Sequence, residues 1–402
     1  MSEAVLVKSY ARRFVESLEG LRAVAALGVL TTHVAFQTGV DPASHFGALT
    51  ARFDFFVAVF FALSAFLLWR RHRTDRRWGS YYFRRAARIA PAYLACALAV
   101  LLLLPEAFGV GALAAVAQLT LTQIYVPDAL IPGLTHMWSL CVEVAFYLGL
   151  PPLALVVSRW RRARTRVAVI VVVAGASSVW PWLPFVAGQG GEASVNLQIW
   201  PPSYAMWFAV GLVAAEVEAA CPRLPRWVVT VARQRWLFWL MALVVAWVAG
   251  REWFGPLGLT HPSPGEFTAR IGAGAVFAAL IVWPYALLPK DGDLIASGPV
   301  RLLGRWSYSI FLWHLAVLSV TLPLTGIRPF TGNFLVVLGL TALGSIAVAG
   351  CSYVLIERPA AQALTGWWHR RHGAGDYPGE HRPGQKRAVA SVEGLRRPGG
   401  AR

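Results

Sequence analysis

The stretch Arg22-Ala-Val-Ala-Ala-Leu-Gly-Val-Leu-Thr-Thr-His33 carries a guanidinium and an imidazole at the two ends of an apolar segment. On an α-helix the two side chains are within ~20° of three full turns, so they share one face, ~16 Å apart along the axis. Ionisable side chains are costly in a bilayer and usually face a protein interior or a water-filled cavity. The stretch therefore predicts a membrane helix with one polar, functional face.

The composition of the chain predicts an all-α, polytopic membrane helix bundle. Of its 402 residues, 57% are hydrophobic and 14% are charged, whereas about 25% of the residues of a soluble domain are charged. Apolar runs long enough to span a bilayer recur throughout the chain, and because they are continuous they disfavour a transmembrane β-barrel. We therefore predict a multi-pass protein of the plasma membrane.

The positions of the arginines indicate the topology. Apolar runs occur at 21–40, 52–69, 90–104, 110–126, 137–157, 167–186, 201–217, 236–250, 267–288, 302–324 and 333–356. If all of them span, the basic segment Arg159–Arg166 lies outside the cell, against the positive-inside rule. The run at 110–126 is the most polar, with two glutamines and two threonines. We predict a short re-entrant or interfacial helix there, ten full spans, and both termini in the cytoplasm.

Charge and cysteine content exclude several other classes of protein. The net charge of +17 is explained mainly by basic cytoplasmic loops, so no nucleic-acid partner is expected, although some arginines are expected to bind a specific anion. The four cysteines, Cys96, Cys141, Cys221 and Cys351, form no CxxC pair, which argues against a disulfide framework or a metal site. No cleavable signal peptide is recognisable, so the first helix is expected to be retained.

The chain is expected to contain one membrane domain, residues 1–360, followed by a tail. Residues 361–402 are polar and rich in glycine, proline and arginine, a composition typical of disorder. We predict a disordered cytoplasmic tail there. No internal repeat of the kind found in inverted-repeat transporters is recognisable.

Five segments, in order, resemble one known family. They are Ser17-Leu-Glu-Gly-Leu-Arg-Ala-Val-Ala-Ala ending in His33; Phe60-Phe-Ala-Leu-Ser64-Ala-Phe-Leu-Leu68; Arg84-Arg-Ala-Ala-Arg88-Ile-Ala-Pro91-Ala-Tyr93; His136-Met-Trp-Ser139-Leu-Cys-Val-Glu143-Val-Ala-Phe-Tyr147; and Leu303-Gly-Arg-Trp-Ser307-Tyr-Ser-Ile-Phe-Leu-Trp-His314 with Ser352-Tyr-Val-Leu-Ile-Glu-Arg-Pro359. Over about residues 12–360 the chain resembles the membrane-bound acyltransferase 3 family.

The resemblance implies an O-acyltransferase that moves an acetyl or other short acyl group from acyl-CoA to a hydroxyl group. The implied acceptor is a carbohydrate, a lipid-linked or cell-envelope glycan, or a small secondary metabolite. The composition, rich in alanine, arginine and valine, looks like that of actinobacterial members, among which macrolide acceptors occur. Acyl-CoA is implied as co-substrate, with no bound cofactor and no metal.

The sequence departs from the family pattern at a few positions. Members usually have aspartate where Glu19 stands and glycine where Ala65 stands. Many have an aspartate aligned with Ala58, whereas the nearest acid here is Asp54, one turn earlier, and its role is open. Many relatives also carry a C-terminal esterase-like domain that this sequence lacks, so the chain is expected to act without one.

His33 and Glu143 are the candidate catalytic residues. By resemblance His33 is the general base for the acceptor hydroxyl, and a transient acyl-imidazole is the alternative; imidazole suits either task near neutral pH. Glu143 shares a helix face with Ser139 and Tyr147 at i−4 and i+4. It is expected to orient a catalytic partner or contact the acceptor, or to form a structural ion pair, with Ser139 as a hydrogen-bond partner. Ser64 is a further supporting or substrate-binding candidate.

Three arginines are candidates for binding the donor. Arg85 and Arg88, at i and i+3 near the cytoplasmic start of a helix, suit a phosphate-bearing donor or anionic lipid. Arg22 either extends to the lipid headgroups or binds the pyrophosphate of the donor. His314 lies in an aromatic helix and is interpreted as a packed, hydrogen-bonded residue, with substrate contact as the alternative. His136 is expected at the external end of its helix, where it has at most a role in acceptor access.

Two other classes of function fit the same sequence. A transporter or exporter of a small molecule or lipid would also place histidine, glutamate and arginine within the membrane. The second alternative is a non-catalytic channel subunit that passes acyl groups to another enzyme. Acyl transfer from labelled acetyl-CoA would separate an enzyme from both.

Overall fold

The computed structural model describes residues 16–188, 195–220, 225–257, 260–288 and 293–372. These residues form helices joined by turns, and none of them lies in a strand. The helices, numbered along the chain, are α1 Glu16–Gln37, α2 His45–Ala51, α3 Phe56–His72, α4 Trp78–Leu103, α5 Ala112–Leu119, α6 Trp138–Val157, α7 Ala163–Ser177, α8 Pro184–Ala187, α9 Ala205–Ala220, α10 Arg226–Ala232, α11 Arg235–Ala249, α12 Pro264–Leu287, α13 Gly298–Thr325, α14 Phe334–Ser352 and α15 Arg358–His372.

The helical lengths confirm a polytopic membrane bundle. Among the described residues, 8 helical segments are long and apolar enough to cross a membrane, and 9 if α10 and α11, bent by 67°, count as one span. The remaining predicted span, at 201–217, corresponds to α9. Its 16 residues extend only ~24 Å, short of the ~30 Å hydrocarbon core of a bilayer. The ten predicted spans are therefore all helical, but α9 by itself is shorter than a full span.

The run at 110–126 does not form a spanning helix, as predicted from its polar side chains. Helix α5 has 8 residues and is ~12 Å long. Gln118 at its end is fully buried, and its amide donates to the carbonyl of Ala129 at 2.6 Å. The Tyr93 hydroxyl of α4 donates to the Gln118 carbonyl. The chain thus folds back on α4 through this backbone contact, whereas Oε1 of Gln118 and both side-chain polar atoms of Gln123 are buried without a hydrogen-bond partner among the described residues.

Helices α1 and α13 pack backbone against backbone. A Cβ added at Gly304 of α13 would lie 2.1 Å from the carbonyl oxygen of Glu19, and one at Gly20 would lie 1.9 Å from that of Ile295. Small residues allow such close approach, which is a common way of packing membrane helices. The contact fixes the face of α1 that carries Arg22 and His33 against α13.

One end of the bundle collects the basic segments, and we call it the basic end. Glu216 of α9 is fully buried there. Its carboxylate accepts from the Trp69 indole at 2.7 Å and from Arg73 at 3.0 Å, and it lies 2.7 Å from Arg166. A buried carboxylate needs partners of this kind. Since Arg73 follows α3 and Arg166 lies near the start of α7, both basic segments lie on the same side, as the positive-inside rule predicts.

The expected disordered tail is helical where it begins. Helix α15 continues to His372, and its Trp368 ring stacks on Phe83 of α4 with centroids 4.4 Å apart. The prediction of disorder from residue 361 is therefore wrong as far as 372, because the polar composition hid two tryptophans that anchor the segment. Residues 373–402 and Cys221 lie outside the described residues. Of the other cysteines, Cys96 and Cys141 are buried and Cys351 is exposed, and all are free.

Candidate functional site

Three histidines meet within the membrane-spanning bundle, and we call them the histidine cluster. His33 lies on α1, His136 lies in the 3-10 turn before α6, and His314 lies on α13. Ring centroids are 5.0 Å apart for His33 and His314, 4.5 Å for His136 and His314, and 6.1 Å for His33 and His136. His136 and His314 are buried, at 3% and 0% exposure, whereas His33 is only half-buried.

Hydrogen bonds of the cluster involve mainly backbone carbonyl groups. His314 Nδ1 and His136 Nε2 lie 2.7 and 2.9 Å from the carbonyl oxygen of Phe311. His33 Nδ1 lies 2.9 Å from the carbonyl oxygen of Val29 and 3.1 Å from Nε2 of His314. Nε2 of His33 makes no hydrogen bond to any described residue.

The cluster changes the interpretation of two histidines. His314 is packed and hydrogen-bonded, as predicted, and it is also bonded to His33, which its sequence position alone did not indicate. His136 is not an isolated residue at the end of a helix: it reaches the same carbonyl group as His314. Across the described residues, no group of three or more histidine, cysteine, aspartate or glutamate side chains is arranged to hold a metal ion.

Glu143 of α6 forms a second polar group with α3. Its Oε1 accepts from the Ser64 hydroxyl and from the Tyr147 hydroxyl, both at 2.5 Å. Tyr147 lies one turn along the same helix, as predicted, and Ser64 comes from the second-helix motif. Ser139, the partner expected from sequence, does not bond to Glu143, because its hydroxyl donates to the carbonyl of His136 at 3.2 Å.

A small cleft of about 30 Å³ connects Arg22 with Glu143. Ser139, Tyr308 and Phe311 also line it. The guanidinium Nε of Arg22 donates to the Ser307 hydroxyl at 3.3 Å. Because Phe311 contributes a wall of the cleft and its carbonyl binds two histidines, the cleft adjoins the histidine cluster.

Arg85 and Arg88 of α4 lie on the basic side of this cleft. The Arg85 guanidinium lies 5.9 Å from the centre of the Tyr147 ring, and its Nε is buried without a hydrogen-bond partner among the described residues. Arg88 is exposed and interacts electrostatically with Arg22 and Arg85. Three neighbouring cations, one with an unpartnered donor, form a site suited to an anion.

Glu357 is a residue that sequence reasoning missed as a candidate. It lies in the π-turn Tyr353–Glu357 and accepts from the Ser309 hydroxyl at 3.0 Å. It interacts electrostatically with Arg22 and Arg88. It belongs to a motif that the sequence shows, but nothing in the spacing indicates that a residue after α14 bonds to Ser309 of α13.

Asp54, whose role was open, does not line the cleft. It lies in the turn between α2 and α3, where Oδ2 is 3.3 Å from Nη1 of Arg52. The ion pair accounts for one carboxylate oxygen, whereas Oδ1 is buried without a hydrogen-bond partner among the described residues. The sequence-predicted site residues that the structure brings together are therefore Arg22, Ser64, Arg85, Arg88, Ser139, Glu143 and Tyr147 around the cleft, with His33 and His314 beside it.

Comparison with known proteins gives a consistent result. Residues 15–355 match the family described as acyltransferase domain, Acyl_transf_3. Acyltransferase MdmB of Streptomyces mycarofaciens is 27% identical over 383 residues, which cover 87% of this chain and 92% of the relative. Nodulation protein 10 of Rhizobium leguminosarum bv. viciae is 25% identical over 352 residues, covering 78% and 84%.

A third relative is longer than this chain. Peptidoglycan O-acetyltransferase OatA of Listeria monocytogenes is 24% identical over 385 residues, which cover 87% of this chain but 56% of the relative. The chain therefore matches little more than half of that protein. No solved structure matches.

Proposed function

This chain belongs to the acyltransferase 3 family, and we propose that it transfers an acetyl or short acyl group from acyl-CoA to a hydroxyl group of a carbohydrate, glycan or small-molecule acceptor. That it is a multi-pass membrane O-acyltransferase follows from the family and the helical bundle. The donor, the acceptor and the roles of individual residues are the proposed part.

The three arginines support a donor that carries phosphate groups. Arg22, Arg85 and Arg88 lie towards the basic end, and the buried Nε of Arg85 has no partner among the described residues. A guanidinium binds phosphate well because its N–H groups form charge-assisted hydrogen bonds. Coenzyme A is cytoplasmic, so we propose that the basic end and both termini face the cytoplasm of a cell whose plasma membrane holds the protein.

The spacing along α1 supports a single route for the donor. Arg22 and His33 lie ~16 Å apart on one face, of the order of the reach of an extended pantetheine arm. With its phosphates near the arginines, acyl-CoA would place its thioester beside Glu143 and His33. The cleft lined by Arg22 and Glu143 measures about 30 Å³, smaller than a pantetheine arm, so we expect donor binding to widen it.

The chemistry follows from the free nitrogen of His33. His33 Nε2 takes the proton of the acceptor hydroxyl while the oxygen attacks the thioester carbonyl carbon. The tetrahedral intermediate then expels the CoA thiolate as the C–S bond breaks. The thiolate receives the proton from His33, which leaves an ester, free CoA and neutral His33. We propose that Glu143 stabilises the imidazolium or holds the acceptor, with Ser64 and Tyr147 fixing its carboxylate.

The acceptor is proposed from the chemistry of the relatives. One relative is named as a peptidoglycan O-acetyltransferase, which favours a glycan hydroxyl for this chain as well. A small secondary metabolite is the other acceptor class consistent with an O-acyltransferase. A hydroxyl of either acceptor class would react at His33, so an activity assay is needed to distinguish a glycan acceptor from a small metabolite.

The observation that carries the proposal is the half-buried His33, with Nδ1 held by protein and Nε2 free, on the helix face of Arg22. The test is transfer of label from radiolabelled acetyl-CoA, by the purified full chain in detergent, to peptidoglycan fragments, sugars and small hydroxylated metabolites. We expect transfer by the wild type, a fall of at least ~100-fold in the His33→Ala variant, and a strong loss in Glu143→Gln.

The control is Thr321→Val, which alters a buried hydroxyl elsewhere on α13 and is expected to retain transfer. Undiminished transfer in His33→Ala would contradict the assignment of the base. If the wild type binds no CoA and transfers no label to any acceptor, the proposed donor is wrong.

A further inference from the structure

His314 makes a contact that packing alone does not require. Its ring is fully buried, and a single hydrogen bond from Nδ1 to the Phe311 carbonyl, at 2.7 Å, already satisfies its N–H group. Its second nitrogen, Nε2, is nevertheless directed at Nδ1 of His33, at 3.1 Å. A buried imidazole in this position connects the face of α13 directly to the candidate base.

Hydrogen-bond chemistry fixes the proton positions in this pair. A ring nitrogen facing a carbonyl oxygen must carry the hydrogen, and in a neutral imidazole the other nitrogen then has the lone pair. His314 is therefore protonated on Nδ1 and presents a lone pair from Nε2. His33 carries its hydrogen on Nδ1, where it is shared between the Val29 carbonyl oxygen, at 2.9 Å, and His314.

From this geometry we infer that His314 is a positioning residue for His33. The Val29 carbonyl oxygen already selects the Nδ1–H tautomer of His33. The Nε2 of His314 accepts the same Nδ1–H and holds the ring in the orientation in which its own Nε2 can take a proton. This is the role that an orienting group has in nucleophile–base–orienter arrangements, here filled by a neutral side chain. The inference rests on the proposed function of His33 as base.

His136 reinforces the same arrangement without touching His33 through a hydrogen bond. Its Nε2 donates to the Phe311 carbonyl oxygen at 2.9 Å, so two N–H groups converge on one acceptor of α13. The second bond restrains the carbonyl that sets the orientation of His314. The Phe311 carbonyl therefore orients His314 through a hydrogen bond, and His314 in turn orients His33.

The proton transfer explains why a neutral acceptor is useful. When His33 takes the proton of the acceptor hydroxyl it becomes a cation, and the Nε2 lone pair of His314 faces its Nδ1–H at that moment. The cation is stabilised while His314 itself stays neutral. A carboxylate in this apolar position would have to be kept charged away from water, at a large desolvation cost.

The test compares His314→Gln with His314→Leu in the full chain, purified in detergent, using labelled acetyl-CoA and the acceptor that the wild type modifies. Glutamine can present a carbonyl oxygen to His33 Nδ1–H, whereas leucine presents no acceptor. We expect kcat to fall ~10–100-fold in His314→Leu, as for loss of other orienting groups. KM for acetyl-CoA should be unchanged, and His314→Gln should recover most of the rate.

Thr321→Val is the matched control, because it removes a hydroxyl that bonds only to a carbonyl of the same helix. Equal losses in the glutamine and leucine variants, with the same fall in melting temperature, would show a structural role and overturn the inference. Wild-type kcat in His314→Leu would overturn it as well.

A second measurement separates this inference from the proposed function. The ¹H and ¹⁵N chemical shifts of the His33 Nδ1–H group report the hydrogen bonds that this group makes, whether or not transfer is observed. We expect the Nδ1–H tautomer in the wild type and in both variants, because the Val29 carbonyl oxygen remains as an acceptor, and a shift of the Nδ1–H signal in His314→Leu that His314→Gln largely restores. An unchanged Nδ1–H signal in His314→Leu would contradict the role of His314, whereas absence of transfer by the wild type would contradict only the proposed function.

Discussion

At the scale of single residues, the unpartnered Nε of Arg85 is the most informative feature of the donor side. A buried guanidinium nitrogen without a hydrogen-bond partner is costly, and a phosphate oxygen would remove that cost. The sequence indicated the arginine pair but could not distinguish a phosphate site from topological charge. The structure adds that Arg85 lies beside the Tyr147 ring, at 5.9 Å, with its Nε buried and without a partner among the described residues, which supports the proposed phosphate site.

We predict that Arg85→Lys raises KM for the acyl donor at least ~10-fold with little change in kcat, since lysine keeps the charge but has no Nε donor. Steady-state kinetics with acetyl-CoA would measure it. Arg159→Lys is the control, because Arg159 is exposed at the start of the other basic segment, Arg159–Arg166, and is expected to retain wild-type kinetics. A wild-type KM in Arg85→Lys would exclude a specific donor contact.

At the scale of helices, close packing of α1 on α13 holds the two halves of the site together. Arg22 and His33 lie on α1, and their partners Ser307 and His314 lie on α13. Gly304 allows α13 to approach the backbone of α1 at Glu19, and Gly20 allows the turn Leu294–Ala296, which precedes α13, to approach α1. A side chain at Gly304 would push the two helices apart near Ser307 and Arg22.

We predict that Gly304→Ala lowers stability by about 1–3 kcal/mol, the usual cost of overpacking, because its Cβ would lie 2.1 Å from a backbone oxygen. The melting temperature in detergent would measure the effect. Gly298→Ala on the same helix is the control, since nothing lies within 4 Å of the added Cβ there. Equal melting temperatures in the two variants would contradict the close approach of the helices.

At the scale of the whole molecule, the basic segments converge on one end because buried acids bind them there. Glu216 links Arg73 to Arg166, and Arg70 lies 3.2 Å from Glu218. The non-spanning segment around α5 is what brings Arg159–Arg166 to this side. The proposed donor site and the basic end therefore lie on the same side of the bundle.

We predict that a reporter fused at Arg162 is cytoplasmic and that one inserted at Asp128, between α5 and α6, is external. The positive-inside rule and the short α5 both require this arrangement. Protease accessibility or a periplasmic or extracellular phosphatase reporter would measure it in intact cells. An external reading at Arg162 would mean that the 110–126 run spans after all.

Much of the fold follows from local properties of the sequence. Long apolar runs form helices because a bilayer leaves backbone groups no other partner. The run at 110–126 forms only a short helix because its polar side chains are costly in a bilayer. The prediction of disorder from residue 361 rested on the average polarity of the tail. That average conceals Trp367 and Trp368, which pack on Phe83 of α4.

The sequence by itself determined the membrane class and the family. It also indicated most candidate side chains of the site, Glu357 excepted, and the shared face of Arg22 and His33, since helical spacing is a local property. Only the tertiary structure decided which of these groups are bonded to each other. Glu143 bonds to Ser64 and not to Ser139, and the rings of His314 and His136 lie against His33. The physical reason is that these contacts join residues 79 and 281 positions apart, and helix packing, not spacing along the chain, sets which faces meet.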